Sequence, residues 1–349
     1  MTISWASLLG ESGARFDGGR LVDFGDLHAE ASAAAGENVV ADLSHFGLII
    51  AGGPQAGEFL QGQFTNDLHT LSADRHGLGA YCSPKGRVLA TFRVFRRQAA
   101  WHIRLPIELT GPVLERLQLY KMRAQVELGS ASDDLLRLGA SGPTIAQLLE
   151  HELGPVPSED GAAADGELSV LRVSGEHPRF EIYGALDAVS QLWSRLVRQA
   201  RPVGPRAWAL TDIRAGVPNI YRQTAESFIP QMLGLETLGA VSFTKGCYPG
   251  QEVVARTQHL GAVKRRLFSA RARSARELPD PATPLRAKLE DAIREAGTII
   301  EAAWSPRGGV DLLAVMSLAV VESETVAHLE AGDAVPLDAI RPAVQSASG

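Results

Sequence analysis

The stretch SFTKGCYPGQEVVART, Ser242–Thr257, combines one of the two cysteines of the chain with the start signals of a helix. Pro249 suits a first helical position, and Glu252 falls in the first turn, where a carboxylate meets the positive end of the helix dipole. The pattern of VVARTQHL continues the helix until Gly261 can end it. Cys247 is therefore predicted to lie just before a helix N-terminus.

Two interpretations of Cys247 follow from these residues. The free N–H groups of the helix start and the neighbouring Lys245 would favour a thiolate, which is the nucleophilic and metal-binding form of cysteine. Glu252 would oppose it, because a nearby negative charge disfavours a second one. The alternative is a buried cysteine that packs as a small hydrophobic side chain. The residues alone leave both interpretations open.

The composition is typical of a soluble globular protein with room for more than one core, since 45% of the 349 residues are hydrophobic and 21% are charged. A net charge of -6 gives no general attraction to phosphate backbones or anionic membranes. The first residues lack a signal-peptide pattern, and no run reaches the ~18 apolar residues that span a bilayer. We therefore expect a cytoplasmic protein with no membrane partner and no direct nucleic-acid partner.

The two cysteines, Cys82 and Cys247, limit disulfide and metal chemistry. A reducing compartment and so few cysteines argue against a disulfide scaffold. A resident iron–sulfur cluster usually needs about four thiolates, and tetrahedral zinc needs closely spaced ligands that the scattered histidines do not provide. No metal site is expected, and Cys82, in a strand beside Tyr81, is predicted to be structural.

Residue patterns in the first 130 residues predict a mixture of strands and helices. Residues 39–53 predict a strand or strand pair, followed by a helix with Pro54 in its first turn. The glycines at 52, 53 and 57 match neither the dinucleotide nor the P-loop spacing, so a turn is favoured over a phosphate site. Residues 106–124 predict a helix. Residues 78–96 predict a hairpin. One face is apolar, with Val88, Ala90, Phe92 and Val94, and the other is basic or polar, with Arg87, Thr91 and Arg93.

The rest of the chain shows two further residue patterns, one mixed α and β and one β-rich. Strands are predicted at 135–138, 168–173 and 179–183, helices at 144–152 and 188–198, and an exposed loop at 154–166. After Gly261, short β-rich segments punctuated by Gly and Pro predict a small terminal barrel.

Two basic clusters would suit an RNA or an anionic cofactor tail. They are Arg93, Arg96 and Arg97, and Lys264, Arg265 and Arg266. No aromatic platform is interleaved with either cluster, so solvated strand faces are the favoured interpretation.

The motif KGCYPGQEVVAR resembles the signature of the YgfZ-type folate-binding proteins, a branch of the glycine-cleavage T-protein (aminomethyltransferase) superfamily. Segments 59–68, 79–96, 214–220 and 228–243 follow in the order and spacing of the family, so that roughly residues 39–266 are covered. The resemblance implies an α+β, aminomethyltransferase-like fold arranged as a ring around a folate pocket. We expect a folate-binding body from residues 1–130 and 205–261, a second α+β lobe from 131–204 and a C-terminal β-barrel from 262–349.

The resemblance also implies a function. It predicts a factor for the assembly or repair of iron–sulfur proteins, including tRNA-modifying ones, with tetrahydrofolate or a derivative as cofactor and Cys247 as a transient thiol assisted by Lys245. The expected partners are folate and iron–sulfur client or assembly proteins. The residues that it suggests around the folate are Asn66, Tyr81, Arg214, Gln251 and Glu252, with Lys245 or Arg256 near the anionic end. Each of three residues has an alternative role. Asn66 could be a turn residue, Tyr81 a side chain of the core, and Glu252 a partner of the helix dipole.

The sequence departs from the aminomethyltransferases at two places. Those enzymes carry paired aspartates after the hairpin turn, where Leu89 and Ala90 stand here, and an aspartate where this chain has Cys247. The acid–base group for aminomethyl transfer is therefore missing, and it is open whether the protein is an enzyme. The alternative function is a folate-dependent one-carbon transferase or demethylase that acts on a small amine.

Overall fold

The computed structural model describes residues 4–344, apart from residues 166, 262, 290–291, 324 and 332. In this part of the chain the α-helices are α1 (Trp5–Glu11), α2 (Leu27–Gly36), α3 (Ala56–Gln61), α4 (Ile107–Lys121), α5 (Ile145–Leu153), α6 (Leu186–Leu196), α7 (Pro205–Ala215), α8 (Gln251–Leu260) and α9 (Leu318–Glu322). None of these helices is long and apolar enough to cross a membrane.

The strands of the first half are β1 (Arg15–Asp17), β2 (Arg20–Asp23), β3 (Val39–Asp42), β4 (Phe46–Gly52), β5 (His76–Cys82), β6 (Val88–Arg97), β7 (Ala100–Pro106) and β8 (Glu127–Ser130). Those of the middle are β9 (Leu136–Ser141), β10 (Ala162–Asp165), β11 (Leu168–Val173), β12 (Arg179–Gly184) and β13 (Arg201–Val203). The last are β14 (Arg265–Ala272), β15 (Pro284–Leu289), β16 (Ala292–Trp304), β17 (Val310–Ser317), β18 (Ala327–Ala331), β19 (Asp333–Pro336) and β20 (Asp338–Pro342).

The first sheet is antiparallel and has five strands in the order β5-β6-β7-β4-β8. The predicted hairpin is confirmed, because β5 pairs with β6 and Ala80 lies opposite Thr91. Helix α4 packs on this sheet through Val113 and Leu117, which are spaced to lie on one helix face.

The second sheet has six strands in the order β10-β11-β12-β9-β3-β13, with β3 and β13 parallel. The predicted helices at 144–152 and 188–198 are confirmed as α5 and α6. Apolar residues spaced by three and four place one face of α6 in the core: Val189, Leu192, Trp193 and Leu196. The sheet also takes β3 from the N-terminal part of the chain, so residues 131–204 do not build it alone.

The predicted loop at 154–166 is wrong in its final part. Ala162–Asp165 forms β10 and pairs with β11, Ala162 lying opposite Leu171. Alanine is a weak strand former, so this segment gave no local signal, and its pairing with the edge of β11 decides its conformation.

The third sheet is antiparallel and has seven strands in the order β19-β18-β15-β16-β17-β14-β20. It is the predicted C-terminal β-barrel, in the form of a curled half-barrel. Its own core includes Phe268, Leu312, Met316 and Leu329. The α+β class is confirmed.

The basic face predicted for β6 is not solvated. Arg93 is only 2% exposed, and Arg97 is buried and donates from Nη2 to the Glu167 carbonyl at 2.9 Å. The solvated interpretation is therefore wrong for these two residues, because β6 faces the second sheet. Arg96 is exposed, as predicted. In the second cluster Lys264 and Arg266 are exposed and Arg265 is partly exposed, as predicted. Arg265 pairs with Glu295, and Arg266 pairs with Glu236, whose side chain is largely buried.

Candidate functional site

The loop that carries Cys247 ends at helix α8, which begins at Gln251. The prediction that Pro249 is the first helical residue is wrong, because Gly250 adopts a left-handed φ of 81° and caps the helix. Gly250 also lies against the hairpin turn: a Cβ there would be 2.5 Å from the Ser83 carbonyl oxygen and 2.6 Å from the Gly86 Cα. The end of the helix before Gly261 is confirmed.

Lys245 connects this loop to the end of α3 and to the segment that follows it. Its Nζ donates to the carbonyl oxygens of Gln61 at 2.5 Å, Phe64 at 2.9 Å and Asn66 at 2.7 Å. An ammonium group has three N–H donors, and all three are used here. Burial lowers the pKa of Lys245 to about 8. The side chain therefore acts as a clip between two loops.

The two cysteines have opposite environments, and both are free thiols. Cys247 is exposed, whereas the next residue, Tyr248, is buried with the Lys245 ammonium 5.6 Å from its ring centroid. Cys82 is fully buried, and burial raises the pKa of its thiol to about 12. The structural interpretation of Cys82 is confirmed.

Two of the residues suggested for folate lie beside this loop. Asn66 is 4% exposed and borders a cleft of about 400 Å³ that is also lined by Ser242 and Phe243. Tyr81 is buried, with its ring centroid 5.9 Å from that of Phe64. Both residues therefore lie with Lys245 in one region of the first sheet.

The other suggested residues are more scattered. Gln251 turns back toward the loop and donates from Nε2 to the Gly246 carbonyl at 3.4 Å. Glu252 and Arg256 are exposed on α8. Arg214 lies on α7, where its Nη1 is 3.1 Å from Glu176 Oε2. Arg214 thus belongs to a different part of the molecule from the cysteine loop.

A cavity of about 580 Å³ lies where the three larger sheets meet. We call it the junction cavity. Phe46 and Pro106 come from the first sheet, Asp212 from α7, and Glu301 from β16. Helix α7 is positioned for this by Pro205 at its start and by Gly216, with a φ of 67°, at its end. Neither Cys247 nor any of the suggested folate residues is among those that line it.

A buried ionic group supports one wall of the junction cavity. Glu181 on β12 accepts from Arg104 Nη2 on β7 at 2.6 Å and lies 3.4 Å from Arg93 Nε on β6. Burial would raise the pKa of Glu181, but the two guanidinium groups lower it well below its usual range. The Arg104 guanidinium lies 3.9 Å from the ring centroid of Phe46 in the cavity wall.

The polar network continues to the cavity floor through Asn219. Arg104 Nη1 donates to Asn219 Oδ1 at 3.4 Å, and Asn219 Nδ2 donates to Asp212 Oδ2 and Glu301 Oε2, both at 3.1 Å. The Tyr221 hydroxyl oxygen lies 2.5 Å from Glu301 Oε1, within hydrogen-bond distance. Hydrogen-bonded side chains from all three sheets thus meet at the junction.

The sequence prediction missed Glu181 and Glu301. Each is a carboxylate with apolar neighbours on both sides within a strand, in FEIY and TIIEAAW. That pattern is a signal, because an acidic residue is rarely buried unless a charge or hydrogen-bond partner comes with it. The partners lie at distant positions in the chain, so the pattern does not identify them.

No group of three or more His, Cys, Asp or Glu side chains in the described ranges is placed to hold a metal ion.

Comparison with known proteins identifies the family. Residues 16–245 match the family of the GCVT N-terminal domain. The tRNA-modifying protein YgfZ of Edwardsiella ictaluri is 34% identical over 267 residues, which cover 76% of this chain and 80% of that protein. The YgfZ protein of Klebsiella pneumoniae is also 34% identical and covers 79% of this chain and 84% of its own length.

The structural comparison supports the same fold. The crystal structure of the glycine cleavage system aminomethyltransferase T from Bartonella henselae superposes with a TM-score of 0.76, covering 95% of this chain and 94% of that chain. At 15% identity this likeness shows the fold alone. Together with the sequence relatives it confirms the resemblance, and the chain belongs to the YgfZ-type branch of the GCVT family.

Proposed function

We propose that this protein is a tetrahydrofolate-binding accessory factor for the assembly or repair of iron–sulfur proteins, including tRNA-modifying ones, and that Cys247 acts as a transient thiol. The relatives at 34% identity carry the name tRNA-modifying protein. The observation that carries the proposal is the exposure of Cys247 on a loop that Lys245 fastens with three hydrogen bonds. A fixed, accessible thiol suits brief contact with iron, sulfur or the cluster of a client protein.

The transient role follows from the number and placement of the cysteines. A resident iron–sulfur cluster takes about four thiolates, and the chain contains two cysteines, of which Cys82 is buried. Cys247 is therefore proposed to share a cluster or its components with ligands on another protein.

The junction cavity is the proposed folate site. Its volume of about 580 Å³ falls within the range of roughly 300–1,000 Å³ of small-molecule sites. Phe46 and Pro106 offer apolar walls for a flat heterocycle, and the exposed Arg20 and Arg206 suit the anionic tail of a folate. When bound, tetrahydrofolate is a carrier of one-carbon groups.

The residues that the family resemblance suggests for folate binding do not line the junction cavity. Asn66, Tyr81 and Gln251 are folate contacts that the family resemblance suggests. Because they lie near Lys245 or the Cys247 loop and do not line the junction cavity, they mark a second candidate position for the folate, beside that loop. Arg214, Glu252 and Arg256 remain proposed folate contacts through the family resemblance alone, since they line neither the junction cavity nor the cleft beside Asn66.

The one-carbon transferase or demethylase is the alternative function. Leu89 and Ala90 provide no carboxylate on β6, whereas Glu301 is an acid–base candidate in the junction cavity. The purified protein, incubated with tetrahydrofolate, N-methylated glycine derivatives and an added two-electron acceptor, tests this alternative, because oxidation of the methyl group releases two electrons. The alternative is supported if the wild type repeatedly forms formaldehyde or methylene-tetrahydrofolate and the Glu301→Ala variant does not.

Deletion of the gene tests the proposed function as a whole. We expect iron–sulfur enzyme activities and tRNA thiomethylation to fall in cells without the protein and to recover when it is restored. Unchanged values in both assays would contradict the proposal.

Calorimetry tests the folate site separately. We expect the wild type to bind tetrahydrofolate, and Ala209→Trp, which places a large ring in the junction cavity, to lose that binding. The matched control is Ala185→Trp, at an exposed position before α6, which should bind as the wild type does. Equal binding by both variants would place the folate elsewhere.

A further inference from the structure

Tyr221 and Glu301 form a short hydrogen bond at the floor of the junction cavity. The Tyr221 hydroxyl lies 2.5 Å from Glu301 Oε1, and both residues line the cavity. Tyr221 is partly exposed, whereas Glu301 is only 5% exposed. A ligand in the cavity would therefore meet Tyr221 directly and Glu301 mainly through it.

We propose that the Glu301–Tyr221 pair sets the hydrogen-bond specificity of the junction cavity according to whether Glu301 carries a proton. When Glu301 is protonated, its O–H donates to the Tyr221 oxygen, and Tyr221 turns its own hydrogen toward an acceptor on the ligand. When Glu301 is ionised, the Tyr221 hydrogen turns back to the carboxylate, and the cavity loses that donor. Tyr221 is the binding residue and Glu301 the positioning residue.

The hydrogen-bond geometry shows which oxygen of Glu301 can carry the proton. Asn219 Oδ1 accepts from Arg104, so its Nδ2 is the group that donates to Glu301 Oε2 at 3.1 Å. An oxygen that receives this N–H is poorly placed to donate in the same direction. The proton of a neutral Glu301 therefore lies on Oε1, which faces Tyr221.

The surrounding charges place the proton change of Glu301 in an accessible pH range. Burial, followed by the proximity of Asp212, raises the pKa of Glu301 to about 8. The hydrogen bonds with Tyr221 and Asn219, and then the charge of Arg104 on β7, oppose this rise. Asp212 on α7 is itself paired with Arg179 Nη1 at 2.7 Å. Glu301 thus changes its proton slightly above neutral pH.

The neighbouring groups keep their protons fixed over the same range. Burial raises the pKa of Tyr221 well above 10. Burial lowers the pKa of His45, which lines the same cavity, to about 4, so its ring stays neutral. Among these neighbours, Glu301 is the group whose charge changes between about pH 7 and about pH 9.

The ligand that fits a neutral Glu301 carries a hydrogen-bond acceptor at its buried end. On the proposed function, on which the identity of the ligand rests, this acceptor is the ring carbonyl of the heterocyclic head of a reduced folate. The anionic tail would then point toward Arg20 and Arg206.

The test is calorimetric binding of 5-formyltetrahydrofolate to the full-length protein from about pH 6 to about pH 9. The binding-competent fraction falls as pH rises through about 8, so the wild-type affinity should drop about tenfold between pH 7 and pH 9. Glu301→Gln should keep the neutral-pH affinity and lose the pH dependence, because its amide N–H donates to Tyr221 at every pH. Tyr221→Phe should bind about tenfold more weakly at pH 7 and should also be independent of pH.

Two results would overturn the proposal: wild-type binding that is constant over this range, or a Glu301→Gln protein that keeps the wild-type pH dependence. An absence of folate binding at every pH would contradict the folate assignment, and infrared spectroscopy of the unliganded protein would then decide on the pair. A protonated-carboxyl band that disappears near pH 8 and is missing in Glu301→Gln supports it. A spectrum without such a band at neutral pH contradicts it.

Discussion

The cysteine loop and the junction cavity are built from polar groups in different ways. The loop is one continuous stretch, and its clip uses a lysine and three backbone carbonyl oxygens, whatever side chains those residues carry. The cavity is assembled from side chains far apart in the chain, such as Phe46, Asp212 and Glu301. A local site can therefore be recognised from a motif, whereas a site at a junction requires the tertiary structure.

The two regions also differ in what they present. The loop leaves the Cys247 thiol exposed to solvent and to other proteins. The cavity encloses its carboxyl groups, and burial shifts the pKa of Glu301 to about 8. The proposed function accordingly uses the loop for contact with a client and the cavity for binding of a small ligand.

Substitution of Glu181 by Gln, beside the junction cavity, is expected to have the largest effect on stability. It leaves the buried Arg93 and Arg104 guanidiniums without a counter-charge, and breaking a buried ion pair in this way costs about 3–5 kcal/mol. Urea denaturation measures the loss in the free energy of unfolding. The control Glu176→Gln removes an exposed carboxylate and should cost less than about 1 kcal/mol. Equal effects of the two substitutions would show that the network does not hold the cavity wall.

Substitution of Gly250 by Ala should have the next largest effect, on the loop side. The new Cβ would meet the left-handed backbone and the close approach to Ser83 and Gly86, so we expect a loss of about 3 kcal/mol in the free energy of unfolding. Gly239→Ala is the matched control, since Gly239 has a φ of 69° but open space around it, and should cost about 1 kcal/mol. If both variants lose the same free energy, the contact between loop and hairpin is not tight.

Substitution of Lys245 by Met should cost about 2 kcal/mol, because three carbonyl oxygens lose their donor while the buried stem is kept. Hydrogen exchange should become faster in residues 61–66 and 242–248 and remain unchanged in the junction cavity. Lys264→Met, at an exposed position, is the control and should exchange as the wild type does. Unchanged exchange in Lys245→Met would contradict the role of a clip.

The sequence predicted most of what is determined locally. The hairpin, the two helices of the second sheet and helix α8 follow from residue periodicity and end signals, and the family follows from a long motif. The burial of Arg93, the strand Ala162–Asp165 and the pairing of Glu181 depend on which sheet faces which. The residues next to these positions in the sequence do not indicate which sheets face each other, so these features could be identified only from the structure.

The most direct test of the central claim is the rescue of iron–sulfur enzyme activity by Cys247→Ser in cells that lack the wild type. The substitution is nearly isosteric at an exposed position, so the protein should fold and keep the wild-type melting temperature. Cys82→Ala, which removes the buried thiol, is the control and should retain most of the rescue at equal protein levels. We predict that Cys247→Ser restores neither iron–sulfur enzyme activity nor tRNA thiomethylation. Full restoration by Cys247→Ser would show that the thiol has no chemical role and would contradict the proposed function.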